Sequence, residues 1–100
     1  MKMKITRVKI TRIQPTGGMV AFADIVLEEQ LLLSSIAIHE KRDGSGYRLT
    51  YPSKMSGRYE FPIFHPVSRE FGLRIEKAVI NKLKDVTENE NAGHISNNAK

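Results

Sequence analysis

The first third of the chain consists of apolar segments with the pattern of β-strands. Residues 4–13, KITRVKITRI, are rich in Ile, Val and Thr, which favour a pleated surface. Their apolar positions do not alternate strictly, so we expect a β-bulge or a change of face near Arg7. The sequence QPTGG at positions 14–18 is typical of a turn.

Two further strands are predicted at residues 19–27 and 31–39, joined by a short polar turn. Both are apolar on both faces, and Asp24 is the one charged residue inside them. Strands of this kind need cover on both sides of the sheet. One helix can cover one face, and a second subunit is the simplest cover for the other. The pattern therefore predicts a homodimer.

The rest of the chain predicts one more strand and one helix. Residues 47–51 alternate as a fourth strand after a Gly-containing loop. Ser68 is the predicted N-cap of the run that follows, which ends near Val86. Gly72 weakens this helix by about 1 kcal/mol relative to alanine, and we expect it to permit close packing on the sheet. Spacings of three and four residues mark one apolar face of the helix: Phe71, Ile75, Ala78, Val79, Leu83 and Val86.

The predicted fold class is therefore α+β, with a small antiparallel sheet of four to five strands followed by one C-terminal amphipathic helix. Residues 1–86 form a single domain in this prediction. Residues 87–100, TENENAGHISNNAK, are polar and Asn-rich, and we expect a flexible tail.

The stretch at residues 51–66, YPSKMSGRYEFPIFHP, separates the strands from the helix. It is too rich in Pro, Gly and Ser to form one long regular element, so a loop is predicted. It carries Lys54 and Arg58 among several aromatic residues. Loops that hold such side chains on a rigid scaffold often carry function. The alternative is a crossover that only joins sheet to helix.

Composition narrows the class of protein. No apolar run approaches the roughly 20 residues that span a bilayer, and the basic N-terminus lacks the apolar core of a signal peptide, so we expect a cytoplasmic protein. The chain contains no cysteine, and its three histidines are dispersed. No nucleophile elbow, zinc motif or phosphate loop is present. We therefore expect neither an enzyme nor a cofactor, metal or small-molecule substrate.

The charge balance favours a polyanionic partner. Lys and Arg number 16 against 11 Asp and Glu, which gives a net charge of +5. Residues 1–86 hold 15 of these basic and 9 of these acidic residues, a net +6, and the tail has a net −1. The basic charge thus lies on the domain predicted to fold, as nucleic-acid binding requires.

Two groups of cations are candidates for binding phosphates. The first is Lys54 and Arg58 with the preceding Arg48, and the second lies on the helix. Tyr51, Tyr59 and Phe64 could stack on unpaired bases. A polar outer face is also what any surface helix shows, so the helix group has an ordinary alternative explanation. The helix group comprises Arg69, Arg74, Lys77 and Lys84.

Several motifs resemble septation protein G, also called stage V sporulation protein G (SpoVG), a small bacterial family. They are ITRVKITRI, GMVAFADIVL, YPSK and EFPIFHPVS, the last leading into REFGLRIEKAVINKL. The resemblance covers residues 4–84, and P-S-K followed by H-P is its most specific part. It implies a small α+β fold that forms a dimer. It also implies a regulatory protein that binds DNA, and in some members RNA, and that is tied to cell division and sporulation.

Carried over position by position, the resemblance points to Lys54, His65, Pro66 and Ser68. The family commonly has a further basic residue after the lysine, where this chain has Met55. We expect Arg58 to compensate. The expected site is thus Lys54 and Arg58 on phosphates, Arg69 and Arg74 extending the basic surface, and His65 with Pro66 fixing the geometry between loop and helix.

The resulting prediction is a homodimeric regulator that binds nucleic acid, DNA or RNA, without catalysis. The imidazole of His65 would make binding sensitive to pH near neutrality. The alternative is a dimeric interaction module that docks on division or regulatory proteins through its aromatic residues and strand edges, without contacting nucleic acid.

Overall fold

The computed structural model describes the backbone of residues 3–99 and the side chains of residues 3–88. The strands come first and the helix last, so the predicted α+β order is confirmed. The elements are β1 (Ile5–Thr16), β2 (Met19–Leu27), β3 (Leu31–Glu40), β4 (Tyr47–Thr50), β5 (Ser53–Ser56), β6 (Tyr59–Pro62) and α1 (Arg69–Ala99).

Strands β1 to β4 form an antiparallel sheet in sequence order. The bulge predicted near Arg7 is confirmed, because the register of β1 against β2 skips between Ile5 and Arg7. A second irregularity lies in the β2–β3 pair, where Ser35 has a φ of 68°. Its amide donates to Asp24 Oδ1 at 3.2 Å. The single charge of β2 therefore satisfies a backbone donor that the bulge removes from the ladder.

The core lies between α1 and one face of this sheet. Ile75, Val79 and Leu83 of the helix are buried. Phe71, Ala78 and Val86 of the predicted apolar face are half-buried. Apolar residues spaced four positions apart on the helix therefore pack against the sheet, as the sequence pattern predicted. The buried residues of the sheet are Ala21, Ala23, Ile25, Leu27, Ile36, Ala37 and Ile38.

The helix begins where its sequence predicts. Ser68 Oγ accepts a hydrogen bond from the Phe71 amide at 3.0 Å, which satisfies one of the free donors of the first turn. The amide of Gly72 donates to the Ser68 carbonyl at 3.1 Å and starts the helical ladder. Ser68 is therefore the N-cap.

The helix continues to Ala99, beyond the four to five turns predicted from its apolar pattern. No proline follows Val86, and extending an existing helix costs far less than nucleating one. The side chains from residue 89 onward lie outside the described residues. The prediction of a flexible tail at 87–100 concerns mainly these residues and stays a prediction.

The central stretch, predicted as a loop, contains the antiparallel hairpin β5–β6. Ser56 pairs with Tyr59, so Gly57 and Arg58 alone form the turn. Gly57 has a φ of 63°, which a glycine adopts without strain at the first position of a two-residue turn. The prediction missed this element because both of its short strands are exposed along their whole length, and so leave no pattern of burial in the sequence.

Gly72 packs against the loop before the helix, whereas the sequence predicted close packing on the sheet. A Cβ at this position would meet Pro66 Cγ at 3.4 Å. That distance is an ordinary van der Waals contact. We therefore expect Gly72→Ala to raise the free energy of unfolding by up to about 1 kcal/mol, since alanine is the better helix former. Urea denaturation checks this, and a lower free energy of unfolding would show that the loop cannot accept the added methyl group.

Candidate nucleic-acid interface

The β5–β6 hairpin projects from the body of the protein. All eight of its strand residues are exposed. At its base the Ile63 amide donates to the Pro52 carbonyl at 2.9 Å. Tyr51 and Phe64, just outside the strands, are half-buried and meet edge to face with ring centroids 6.1 Å apart. The hairpin is thus anchored at its base and open to solvent along its length.

The strand register sorts the hairpin's side chains onto two faces. Lys54 pairs with Phe61, and Ser56 pairs with Tyr59. Because side chains directly opposite one another share a face, these four residues lie together. Tyr59 and Phe61 are 62% and 54% exposed, and their ring centroids are 6.4 Å apart. We call Lys54, Ser56, Tyr59 and Phe61 the aromatic face.

Arg58, in the turn, adds a second cation to the aromatic face. Its guanidinium carbon lies 5.9 Å from the centroid of the Tyr59 ring, within the range of a cation–π contact. The face therefore combines two cations with two exposed rings. These are the groups that a single-stranded nucleic acid requires, since cations contact phosphates and rings stack on bases.

The opposite face of the hairpin carries its one acidic group. Ser53 Oγ donates to Glu60 Oε2 at 2.7 Å, which holds the carboxylate on that side. Met55 pairs with Glu60 and shares this face. Met55 stands where the family commonly has a basic residue, and its side chain therefore lies on the opposite face of the hairpin from Lys54. The replacement by methionine leaves the aromatic face unchanged.

The remaining candidate residues lie at the start of the helix, apart from the aromatic face. The oxygen of Ser68 caps the helix, and His65 Nδ1 lies 3.0 Å from the Pro66 carbonyl oxygen. Arg74 donates to the Met3 carbonyl at 2.7 Å and lies 5.3 Å from the Phe71 ring centroid. Arg74 therefore ties the helix to the N-terminal segment.

Arg69 and His65 are exposed beside this helix start. The sequence-predicted site thus divides into two groups. Lys54 and Arg58 lie on the hairpin, whereas His65, Ser68, Arg69 and Arg74 surround the helix N-terminus. The proposed sensitivity of binding to the protonation of His65 stays a prediction.

The rings exposed on the hairpin are only in part those that the sequence offered for stacking on bases. Tyr51 and Phe64 are packed at the base of the hairpin, whereas Phe61, which was not among the rings predicted to stack, lies on the aromatic face beside Tyr59. The alternation of Tyr59 and Phe61 after a Gly-Arg turn is the signal that could have identified the pair, because residues two apart share a face of a strand.

The described residues offer neither a metal site nor a membrane-spanning helix. In that part of the chain, no three His, Asp or Glu side chains are grouped closely enough to hold a metal ion. No helix there combines the length and apolar character that crossing a bilayer requires.

Comparison with known proteins gives the family. The SpoVG family model matches residues 3–85. The chain belongs to the SpoVG family. A relative from Treponema denticola is 32% identical over 79 residues, covering 78% of this chain and 83% of its own length. One from Shouchella clausii is 33% identical over 91 residues, covering 90% and 91%.

A third SpoVG relative, from Staphylococcus aureus strain MRSA252, is 31% identical over 87 residues. The match covers 86% of this chain and 85% of the relative. All three carry the designation septation protein SpoVG. That name refers to a cellular process and to no catalysed reaction. The resemblance in the sequence motifs is thereby confirmed over the whole sheet, the hairpin and the helix as far as residue 85.

Burial at the base of the hairpin predicts an unusual tyrosine titration. Desolvation, with a smaller contribution from the nearby Glu76 carboxylate, raises the pKa of Tyr51 above its usual value. Neutral Tyr51 therefore stabilises the folded state fully below the usual tyrosine pKa. This stabilisation is lost as pH rises through the raised pKa of Tyr51 in the folded protein. We expect the ultraviolet titration of the three tyrosines to show a late component that Tyr51→Phe removes. Loss of the earliest component instead would contradict the assignment.

Proposed function

We propose that this SpoVG-family protein binds single-stranded DNA or RNA through the aromatic face of its hairpin and acts as a regulator without catalysis. One observation carries the proposal: Lys54, Arg58, Tyr59 and Phe61 come together on an exposed surface with the one acidic side chain of the hairpin turned away. The relatives' designation supports a role in septation. A regulator of this kind would work in the cytoplasm.

Phosphate contacts provide the first part of the binding. Lys54 and Arg58 lie at exposed positions from which an ammonium and a guanidinium group can meet successive phosphates. Each neutralised phosphate releases counterions, so binding should weaken with salt. The net charge of +6 on residues 1–86 adds long-range attraction for a polyanion.

Stacking provides the second part. The rings of Tyr59 and Phe61 are exposed to solvent. Their apolar faces are therefore available for unpaired bases to stack on. A duplex keeps its bases paired and stacked, so this mode favours single strands and loops. Stacking also tolerates many sequences, because every base has a π-face.

We also propose that the protein acts as a homodimer. The exposed large apolar side chains include Leu31, Leu32 and Val67 on the body. Their exposure supports a further protein contact. A dimer would present two hairpins to one strand and so raise the effective concentration of the second contact.

The alternative of a protein-interaction module is favoured by the same exposed rings, together with Met55 and Ile63. The two functions differ in their dependence on salt. Apolar burial is hardly screened, whereas phosphate contacts are lost as ions compete.

The phosphate contacts are tested by Lys54→Ala combined with Arg58→Ala. We expect the double variant to bind single-stranded oligonucleotides more weakly and to lower the slope of log affinity against log salt by about 1.4, since each phosphate contributes about 0.7 for single strands. Fluorescence anisotropy at several salt concentrations measures this.

A charge-matched control is Lys41→Ala with Arg42→Ala, in the β3–β4 loop at the opposite end of β4 from the hairpin. We expect it to change the slope much less. An equal change in both variants would mean that the basic charge acts diffusely, and no binding by the wild type at low salt would favour the interaction module.

The stacking contact is tested by Phe61→Ala. We expect a loss of about 1–3 kcal/mol in binding to a single strand with an unchanged salt slope, because no charge is removed. Met55→Ala on the opposite face is the control, since Met55 is similarly exposed at 59%. If Met55→Ala weakens binding as much as Phe61→Ala, the aromatic face is not the site.

A further inference from the structure

The two exposed rings of the aromatic face are spaced by the strand that carries them. Tyr59 and Phe61 lie two positions apart in β6, so their side chains point to the same side of the hairpin. Two residues of an extended strand advance by about 6.6 Å. The ring centroids are 6.4 Å apart, close to that backbone spacing. The strand therefore sets the distance between the rings.

This distance is close to the space that one nucleobase needs between two rings. Stacked bases follow one another at about 3.4 Å, so two stacking steps take about 6.8 Å. The rings of Tyr59 and Phe61 are slightly closer than this, and their planes are inclined at 41°. They are tilted against each other rather than stacked, and a small rotation of both would make them parallel. Exposed side chains rotate within picoseconds to nanoseconds, so little opposes that rotation.

Cations lie at both ends of the ring pair. The Arg58 guanidinium carbon lies 5.9 Å from the centroid of the Tyr59 ring, and Lys54 pairs with Phe61 across the hairpin. A nucleotide with its base between the rings would bring two successive phosphates toward these two cations. Glu60, which separates the rings in sequence, has its side chain on the opposite face. The gap between the rings is thus flanked by positive charge.

We propose that the aromatic face takes a single unpaired base between Tyr59 and Phe61, and that its ligand is a nucleic acid with one bulged or flipped-out nucleotide. This inference rests on the nucleic-acid binding proposed above and names the form of nucleic acid that binds. A base between two rings is stacked on both of its faces, whereas a base on one ring is stacked on one. Both rings then contribute to the same contact.

A duplex with a bulge suits this site better than a fully paired duplex. Extruding a paired base costs pairing and stacking energy, and the cost is least for a base that has no partner. The hairpin is a two-stranded ribbon, an element that the major groove of DNA admits. All eight of its strand residues are exposed, so the rings can approach an extruded base.

The test uses three DNA duplexes of one sequence: fully paired, with one bulged adenine, and with a bulged abasic site in its place. We expect the adenine bulge to bind about tenfold more tightly than the paired duplex, since stacking one base on protein rings is worth at least roughly that factor. The abasic bulge keeps the backbone and lacks the base, so it should bind like the paired duplex. Fluorescence anisotropy measures all three affinities. Equal affinity for the two bulges would overturn the proposal.

Variants of the rings show whether one base meets both of them. With the adenine bulge as ligand, we expect Tyr59→Ala and Phe61→Ala each to weaken binding about tenfold. If each ring stacked on its own base, one bulged base would occupy one ring, and removing the other ring would leave the affinity unchanged. That result would overturn the proposal. Met55→Ala, on the opposite face, is the control and should bind like the wild type.

A measurement on the wild type avoids any effect of these variants on the stability of the hairpin. Nuclear Overhauser effects between the base protons of the bulged adenine and the ring protons show which rings lie against the base. We expect contacts from this one base to both Tyr59 and Phe61. Contacts to one ring alone, or to neither, would overturn the proposal.

Anisotropy with a single-stranded oligonucleotide separates this inference from the function on which it rests. If the protein binds the single strand through the hairpin cations but does not prefer the adenine bulge, the hairpin site stands and the shared base is ruled out. If it binds neither ligand at low salt, both proposals are wrong.

Discussion

The contact of Ile75, Val79 and Leu83 with the inner face of the sheet is the interaction on which the rest of the structure depends. All three are buried, and the sheet meets them partly with alanines, Ala21 and Ala23, which let the helix approach closely. Burial contributes about 1.5–3 kcal/mol for each large apolar side chain, a substantial part of a total stability of about 5–15 kcal/mol. This contact fixes where the helix starts, and therefore where the loop before it and the base of the hairpin lie.

The hairpin depends on that anchor because a two-stranded hairpin alone is at best marginally stable in water. Its base is held by the Tyr51–Phe64 contact and by the hydrogen bond from Ile63 to Pro52. All eight of its strand residues are exposed, so their side chains are accessible to a partner. The body therefore provides most of the stability of the fold. The hairpin presents two cations and two aromatic rings without removing apolar residues from the core.

The sequence predicted the body well because periodic burial leaves a periodic pattern. The boundaries of β2, the bulge near Arg7 and the Ser68 cap all follow from local chemistry. The hairpin was missed because its short strands are exposed on both faces and so leave no burial pattern. Lys54 and Arg58 were predicted as site residues from residue type. The strand pairing that places Phe61 beside them could not be predicted in the same way. Nor could the hydrogen bond from Arg74 to Met3, because it depends on tertiary structure.

The central claim is that the hairpin is the surface on which a single-stranded nucleic acid lies. Nuclear magnetic resonance of the labelled protein, titrated with a short unpaired oligonucleotide at low salt, tests it most directly. The account predicts that the amides of residues 53–62 and the ring protons of Tyr59 and Phe61 shift together as the oligonucleotide is added. Shifts confined to the helix N-terminus around His65 and Arg69, or no shifts at all, would contradict it.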